Sequence, residues 1–208
     1  HFAVPGFGGG FVGVDVFFVI SGYLMTGIVV GRLESSSFSV LAFYEDRLVR
    51  IYPALSVLLV VMLALGAIML APMEYAVLGK NTAMSAIFAS NLRFRTDYFG
   101  DGIDQEWLLH TWSLSVEWQF YMLFPLAIML VWRLGGRRWL PLALIVASLV
   151  SLAISWWLSP RMPTAAFYLL PTRAWEMMAG GLVWLLPPIR REWSRAAQLA
   201  GFAVLGVS

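Results

Sequence analysis

One carboxylate in this sequence lies inside an apolar segment that is long enough to cross a membrane. Glu117 falls within residues 111–132, which are otherwise mostly apolar. A charged side chain at the bilayer centre costs roughly 2.5–3.5 kcal/mol on insertion scales, so it rarely occurs there without a partner or a task. Ser113 and Tyr121 lie four residues on either side, which predicts one polar stripe along a helix. Glu117 is therefore either a protonated group bonded to a neighbouring helix or a buried acid, base or orienting group.

Two histidines and one aspartate are further candidates for proton chemistry. Imidazole is the side chain best matched to proton transfer near neutral pH. His1 precedes a glycine-rich stretch, and His110 lies three residues before Ser113. Both could equally be interfacial or helix-capping residues without a chemical task. Asp15 falls near the first turn of a predicted span, where a carboxylate is favoured by the helix dipole, so capping is the alternative to a role in a site.

The residues that could bind a ligand lie around two predicted spans. Arg47 and Arg50 are three residues apart, share a helix face and could clamp a phosphate, although anchoring at anionic lipid heads is the simpler interpretation. Ser21 and Gly22 lie in mid-span, where glycine lets another helix or a thin ligand approach. The sequence contains no cysteine, which excludes thiolate metal sites and a cysteine nucleophile within it, and no metal site is predicted.

The composition of the chain indicates the kind of secondary structure that positions these residues. The chain is 60% hydrophobic and only 12% charged, which is not the composition of a soluble domain of this size. We predict an all-α, polytopic transmembrane helix bundle with one domain over residues 1–208. The net charge of +2 is too small to suggest a nucleic-acid partner. Predicted spans cover about 11–30, 51–71, 111–132, 139–158 and 167–186, and a sixth begins near residue 196.

The positions of the arginines predict the topology. Cytoplasmic loops of membrane proteins are enriched in Lys and Arg. The Arg32–Arg50 loop, the cluster after residue 132 and the cluster at 190–195 lie on one side only if residues 72–110 begin and end on the other. Residues 74–92 should therefore form a re-entrant or interfacial helix. Arg173 and Glu176, three residues apart near the start of the fifth span, should pair with each other.

Four stretches of the chain resemble membrane acyltransferase family 3. They are GGFVGVDVFFVISGYL at 9–24, FYEDRLVRIYP at 43–53, HTWSLSVEWQFY at 110–121 and LPTRAWEMMAG at 170–180. The family includes bacterial O-antigen and peptidoglycan O-acetyltransferases, and the last stretch resembles its lipopolysaccharide O-acetylase branch. The resemblance extends over residues 9 to 181, most of the chain.

This resemblance implies a bundle of about ten spans in the cell inner (plasma) membrane, of which this chain would be a fragment. Acyl-CoA, usually acetyl-CoA, would be the cytoplasmic donor substrate, with no permanently bound cofactor. A hydroxyl of an extracytoplasmic carbohydrate would be the acceptor, and some members carry an additional SGNH-type domain. Membrane lipid is the remaining expected partner.

The resemblance also suggests roles for individual residues. His1 matches the family's histidine, whose arginine partner would lie upstream, and Arg47 and Arg50 match an Arg-x-x-Arg pair that binds coenzyme phosphates. Glu117 matches an acidic position. The predicted site is catalytic at His1, Glu117 and Asp15, donor-binding at Arg47, Arg50, Ser21 and Gly22, and acceptor-binding at Ser113, Tyr121 and His110.

Two other classes of function fit the same residues. A secondary transporter or an exporter of a lipid-linked sugar would also need a polar path through an apolar bundle, but it would move a substrate without acyl transfer. Transporters of this kind are often built from inverted repeats, and no repeat is visible in the sequence. A non-catalytic membrane anchor would leave Glu117 without a task.

Overall fold

The computed structural model describes residues 12–93 and 107–187. These residues form α1 (Val12–Glu34), α2 (Val40–Met69), α3 (Pro72–Ala86), α4 (Thr111–Gly135), α5 (Leu140–Leu158), α6 (Pro163–Tyr168) and α7 (Leu170–Leu185). No strand occurs in this part of the chain, and four of the helices (α1, α2, α4 and α5) are long and apolar enough to span a membrane. The predicted all-α membrane bundle is confirmed. His1 and the predicted sixth span lie outside the described residues.

Two ion pairs bring the arginine-rich loops to one end of the bundle. Arg137 contacts Glu34, and Arg32 contacts Asp46 at 2.7 Å. The C-termini of α1 and α4 therefore lie at the same end, which we call the basic end, and the opposite end is called the far end. It follows that α1 and α4 run in the same direction and that α2 and α5 run against them. This agrees with the topology predicted from the arginines.

Helix α3 does not cross the bundle. It begins three residues after α2 ends and folds back along it, burying Leu78 in a cluster with Leu55 and Leu59 of α2. Its other end reaches the first turn of α4, where the hydroxyls of Ser85 and Thr111 lie 2.8 Å apart. Both ends of α3 thus lie on the far side of the bundle, and its 15 residues are too few for a span. The structure agrees with the predicted re-entrant segment.

The predicted start of the second span, at residue 51, is wrong. Helix α2 begins at Val40, and the Ser39 hydroxyl caps it by accepting a hydrogen bond from the Ala42 amide at 3.4 Å. Arg47 and Arg50 therefore belong to a continuous 30-residue helix and not to a segment that precedes the span. Pro53 stays within this helix at the loss of one main-chain donor.

The predicted fifth span, residues 167–186, is interrupted in the structure. Helix α6 ends at Tyr168, Leu169 is extended (φ −88°, ψ 141°), and α7 restarts at Leu170. The physical reason is Pro171, because a proline ring clashes with the helical turn that precedes it and tolerates only the first turn of a helix. The break places Arg173 in the first turn of α7 at the far end.

The closest helix crossing joins α1 to α7. A Cβ atom on Gly22 would overlap the main-chain carbonyl of Met177, and one on Gly180 would overlap the carbonyl of Val19. Small residues at such a crossing let two helix backbones come into direct contact, as is common within membranes. This crossing and the adjacent packing of α4 hold the mid-section of α1 in a fixed rotation, with Ser21 facing α4.

Candidate active site

A hydrogen-bonded group joins α1 to α4 at the centre of the bundle. Oε1 of Glu117 accepts hydrogen bonds from the hydroxyls of Ser21 and Tyr121, and these two hydroxyl oxygens lie 2.6 Å apart. Glu117 is only 4% exposed. Its four-residue spacing from Tyr121 brings both side chains to one face of α4, as the sequence predicted.

Two arginines of α2 face this group across a small cavity. Arg47 and Arg50 line a cavity of about 280 Å³ together with Ser21, Glu117 and Tyr121. Neither arginine forms an ion pair within the described residues, and Nε of Arg47 is buried without a hydrogen-bond partner there. Both guanidinium groups interact electrostatically with the Glu117 carboxylate. Two positive charges and one acidic group give the cavity a surplus of positive charge, which suits an anion.

The structure thus brings together Ser21, Arg47, Arg50, Glu117 and Tyr121. Gly22 does not join them, because its α-carbon faces the main chain of Met177 on α7. The space that a thin ligand would need beside Gly22 is filled by that helix. Gly22 therefore packs two helices together, and its predicted contact with the donor is not what the structure shows.

Asp15 belongs to a different group of charges at the far end. Its carboxylate lies 3.0 Å from the Arg173 guanidinium, which also contacts Glu176 at 2.7 Å. The predicted pairing of Arg173 with Glu176 is confirmed. Arg173 also lies over the ring of Phe167, with its Cζ atom 4.8 Å from the ring centroid. Asp15 is thus held by Arg173. Its predicted role of orienting the His1 imidazole stays a prediction, because His1 lies outside the described residues.

His110 and Ser113 occupy different surroundings from Glu117. The Ser113 hydroxyl donates to the main-chain carbonyl of His110 at 3.2 Å, and Ser113 does not line the cavity around Glu117. The predicted polar stripe therefore has two members, Glu117 and Tyr121. His110 lines a second cavity of about 310 Å³ between α2 and α4. Partial burial lowers the pKa of the His110 imidazole below its ordinary value of 6.5, so the neutral form predominates at pH 7.

Sequence reasoning did not identify the apolar residues that connect these two cavities. Ile51 and Leu114, together with Arg50, line both of them. It also missed a partly buried amide pair beside the third turn of α4, in which Gln119 Nε2 donates to Asn91 Oδ1 at 2.8 Å. The polar residues within 74–92, Asn91 among them, were the feature of the sequence that could have indicated this pair.

The whole sequence matches one protein family. The acyltransferase domain profile covers residues 1–208. The chain belongs to acyltransferase family 3. The chain is 37% identical over 159 residues to O-acetyltransferase OatA of Staphylococcus aureus. The aligned region covers 74% of the chain and 26% of OatA. The chain is also 34% identical over 199 residues to the putative membrane-bound transacylase BcsY of Komagataeibacter xylinus. This aligned region covers 94% of the chain and 49% of BcsY.

The family-3 chain therefore spans between a quarter and a half of the length of these two relatives. No solved structure matches it. The family resemblance seen in the four sequence stretches is confirmed, and the chain is a multi-pass membrane protein of this acyltransferase family. Of its predicted catalytic residues, Glu117 lines the cavity, Asp15 lies in the far-end ion cluster, and His1 lies outside the described residues.

Proposed function

We propose that this chain forms the membrane core of an O-acyltransferase. It takes an acyl group, most simply acetyl, from acyl-CoA on the cytoplasmic side of the inner (plasma) membrane. It transfers this group to a hydroxyl of a cell-envelope carbohydrate on the other side. The observation that carries the proposal is the cavity in which Arg47 and Arg50, free of ion pairs within the described residues, face the bonded carboxylate of Glu117. The names of OatA and BcsY, an O-acetyltransferase and a transacylase, support it.

The two arginines supply what an anionic donor needs. Coenzyme A carries phosphate groups, and guanidinium groups bind phosphate through paired, charge-assisted hydrogen bonds. Arg47 has an unused, buried Nε donor, and Arg50 is exposed toward the cavity between the helices. The donor phosphates would add the negative charge that the cavity lacks.

Glu117 would hold the side chains of Arg47 and Arg50 in position before the donor binds. Its carboxylate offsets part of the positive charge of Arg47 and Arg50, and its two hydrogen bonds from Ser21 and Tyr121 fix its position. A fixed acidic group would hold the two neighbouring cations in place, so that they need not reorganise during the reaction. In this role Glu117 is an orienting group, the second of the two interpretations open from the sequence.

The transfer itself would require a base on the acceptor side. We assign this role to His1 on the family resemblance. Its imidazole would take the proton of the acceptor hydroxyl while the oxygen attacks the thioester carbonyl carbon. The carbon–sulfur bond then breaks, and the coenzyme thiolate leaves and receives the proton. Alternatively, His1 would carry the acyl group itself between donor and acceptor. An SGNH-type domain is a further proposed partner for the final transfer.

A donor-binding assay on the full-length protein tests this function. We expect the Arg47→Ala/Arg50→Ala double variant to bind acetyl-CoA at least about 100-fold more weakly, because each charge-assisted hydrogen bond contributes about 1.5–3 kcal/mol. The matched control is Arg137→Ala/Arg138→Ala, which removes two exposed arginines of the basic end. Equal donor affinity in the two double variants would disprove the phosphate-binding role.

A transfer assay tests the chemistry separately. Radiolabelled acetyl groups from acetyl-CoA should appear on envelope carbohydrate in membranes with the wild-type protein. The His1→Ala variant should lose transfer while it keeps donor affinity. Normal transfer by this variant would remove the catalytic role of His1. Movement of a sugar across the membrane without any acetyl transfer by the wild type would favour the transporter instead.

A further inference from the structure

The two cavities between α2 and α4 adjoin each other, and together we call them the groove. The cavity that contains Glu117 and the cavity that contains His110 share three wall residues, Arg50, Ile51 and Leu114. The wall of the groove on α2 continues from Arg50 to Leu58. These eight residues correspond to about 12 Å along a helix at 1.5 Å per residue. The groove therefore leads from the arginine pair toward the start of α4.

The groove changes in chemical character along its length. At one end lie the guanidinium groups of Arg47 and Arg50, and beyond them the wall on α2 is apolar as far as Leu55 and Leu58. The α4 side of this apolar part holds His110 and the Thr111 hydroxyl. A ligand that fits this order has an anionic head, an extended uncharged arm and a reactive group at its tip. A phospholipid also has an anionic head, but its hydrocarbon tail could form no hydrogen bond with the His110 imidazole.

The groove also points in the direction that the proposed reaction requires. His110 immediately precedes α4, whose C-terminus lies at the basic end through the contact between Arg137 and Glu34. His110 therefore marks the far end of the bundle, where an acceptor outside the membrane would approach. The route beside Gly22, which the sequence suggested for the arm of the donor, is closed by α7.

We propose that the pantetheine arm of acyl-CoA lies in this groove. Its phosphates contact Arg47 and Arg50, and its thioester lies beside His110, which forms a hydrogen bond with the acceptor hydroxyl. The inference rests on the proposed function and adds the path of the donor, the place of transfer and a second imidazole to it. The nucleotide part of the donor then stays at the arginine pair, and only the acyl group reaches the far end.

An introduced cysteine can detect the tip of the donor directly. The 208 residues contain no cysteine, so a Leu58→Cys replacement places the single thiol of this segment in the groove wall. Bromoacetyl-CoA should alkylate it: the sulfur–carbon bond forms, bromide leaves and the thiol proton passes to solvent. We expect labelling to be at least about tenfold faster than for Val57→Cys, whose position is 64% exposed and does not line the groove. An excess of acetyl-CoA should suppress labelling.

Each outcome of the labelling experiment has one meaning. Protected, position-specific labelling of the peptide around residue 58, seen by mass spectrometry, supports the groove. Equal labelling of both variants, or labelling that acetyl-CoA does not suppress, overturns the groove even when the protein binds and transfers acetyl groups. Such a result is also expected if a lipid tail occupies the groove. A wild-type protein that binds no acetyl-CoA overturns the proposed function itself.

Two further variants test the ends of the groove. Leu58→Trp should fill the apolar part of the groove beyond Arg50, so acetyl-CoA affinity should fall to that of ADP while ADP affinity stays unchanged; Val57→Trp is the control. His110→Ala should lower transfer about tenfold with unchanged donor affinity, as expected for the loss of one hydrogen bond, and His110→Gln should restore part of it. Wild-type transfer in His110→Ala would remove the role of His110.

Discussion

The hydroxyl groups of Ser21 on α1 and Tyr121 on α4 lie 2.6 Å apart, although 100 residues separate them in the chain. Both contact the same carboxylate oxygen of Glu117. In a site of low dielectric constant, such a network is costly when it is incomplete. The Ser21–Tyr121 contact therefore positions α1 against α4 as well as lining the candidate site.

The Tyr121 hydroxyl should contribute measurably to stability. We expect Tyr121→Phe to lower the free energy of unfolding by about 1 kcal/mol, because the Glu117 carboxylate loses a donor in a site that is shielded from water. Tyr52→Phe is the matched control, since the Tyr52 side chain is 39% exposed. Thermal unfolding of the purified protein in detergent measures both. If the two variants unfold alike, the Glu117 network does not stabilise the bundle.

Gly22 should tolerate no side chain. The Cβ atom of Gly22→Ala would overlap the Met177 carbonyl, and such overpacking costs about 1–3 kcal/mol. Gly31→Ala in the same helix is the control, because nothing lies within 4 Å of its new Cβ atom. We expect it to be neutral or stabilising, since alanine favours helix over glycine. Thermal unfolding separates the two, and equal stability would contradict the close α1–α7 crossing.

Among the described arginines, Arg173 should be the one whose replacement destabilises the protein most. Its guanidinium compensates Glu176, whose side chain is 2% exposed, and it also contacts Asp15. Removing one partner of a buried ion pair costs about 3–5 kcal/mol, because the other charge stays buried. Arg173→Met should therefore reduce the yield of monodisperse protein sharply. Arg161→Met at an exposed position is the control, and an equal yield from both would show that the far-end cluster is not structural.

His110 should make stability sensitive to mild acid. Burial lowers its native pKa below 6.5, so the unfolded state binds more protons between the lowered value and about 6.5. Stability then rises with pH through this window and falls on acidification. His110→Gln cannot be protonated and should show a flatter dependence between about pH 5 and pH 7.5. An unchanged slope in unfolding experiments over this range would contradict the burial of the imidazole.

Much of the architecture was predictable because it depends on local composition. The start of α4 at Thr111 and the span of α5 up to Leu158 follow from apolar runs that are long enough for a bilayer. The re-entrant position of α3 followed from the arginines at 32, 133 and 137. The start of α2 was mispredicted because three consecutive charged residues, Glu45, Asp46 and Arg47, are unusual in an apolar span. In the folded chain Asp46 is paired with Arg32, and the helix continues through these charges.

The sequence by itself determined which residues could carry chemistry, since only a few polar side chains interrupt its apolar segments. It also determined the pairing of Arg173 with Glu176, because three residues along a helix bring two side chains to one face. Only the tertiary structure decided that Ser21 bonds to Glu117, that Asp15 joins Arg173, and that Gly22 packs against α7. These contacts depend on the rotation and crossing of helices that are far apart in the chain. Close packing sets that rotation, and no local spacing encodes it.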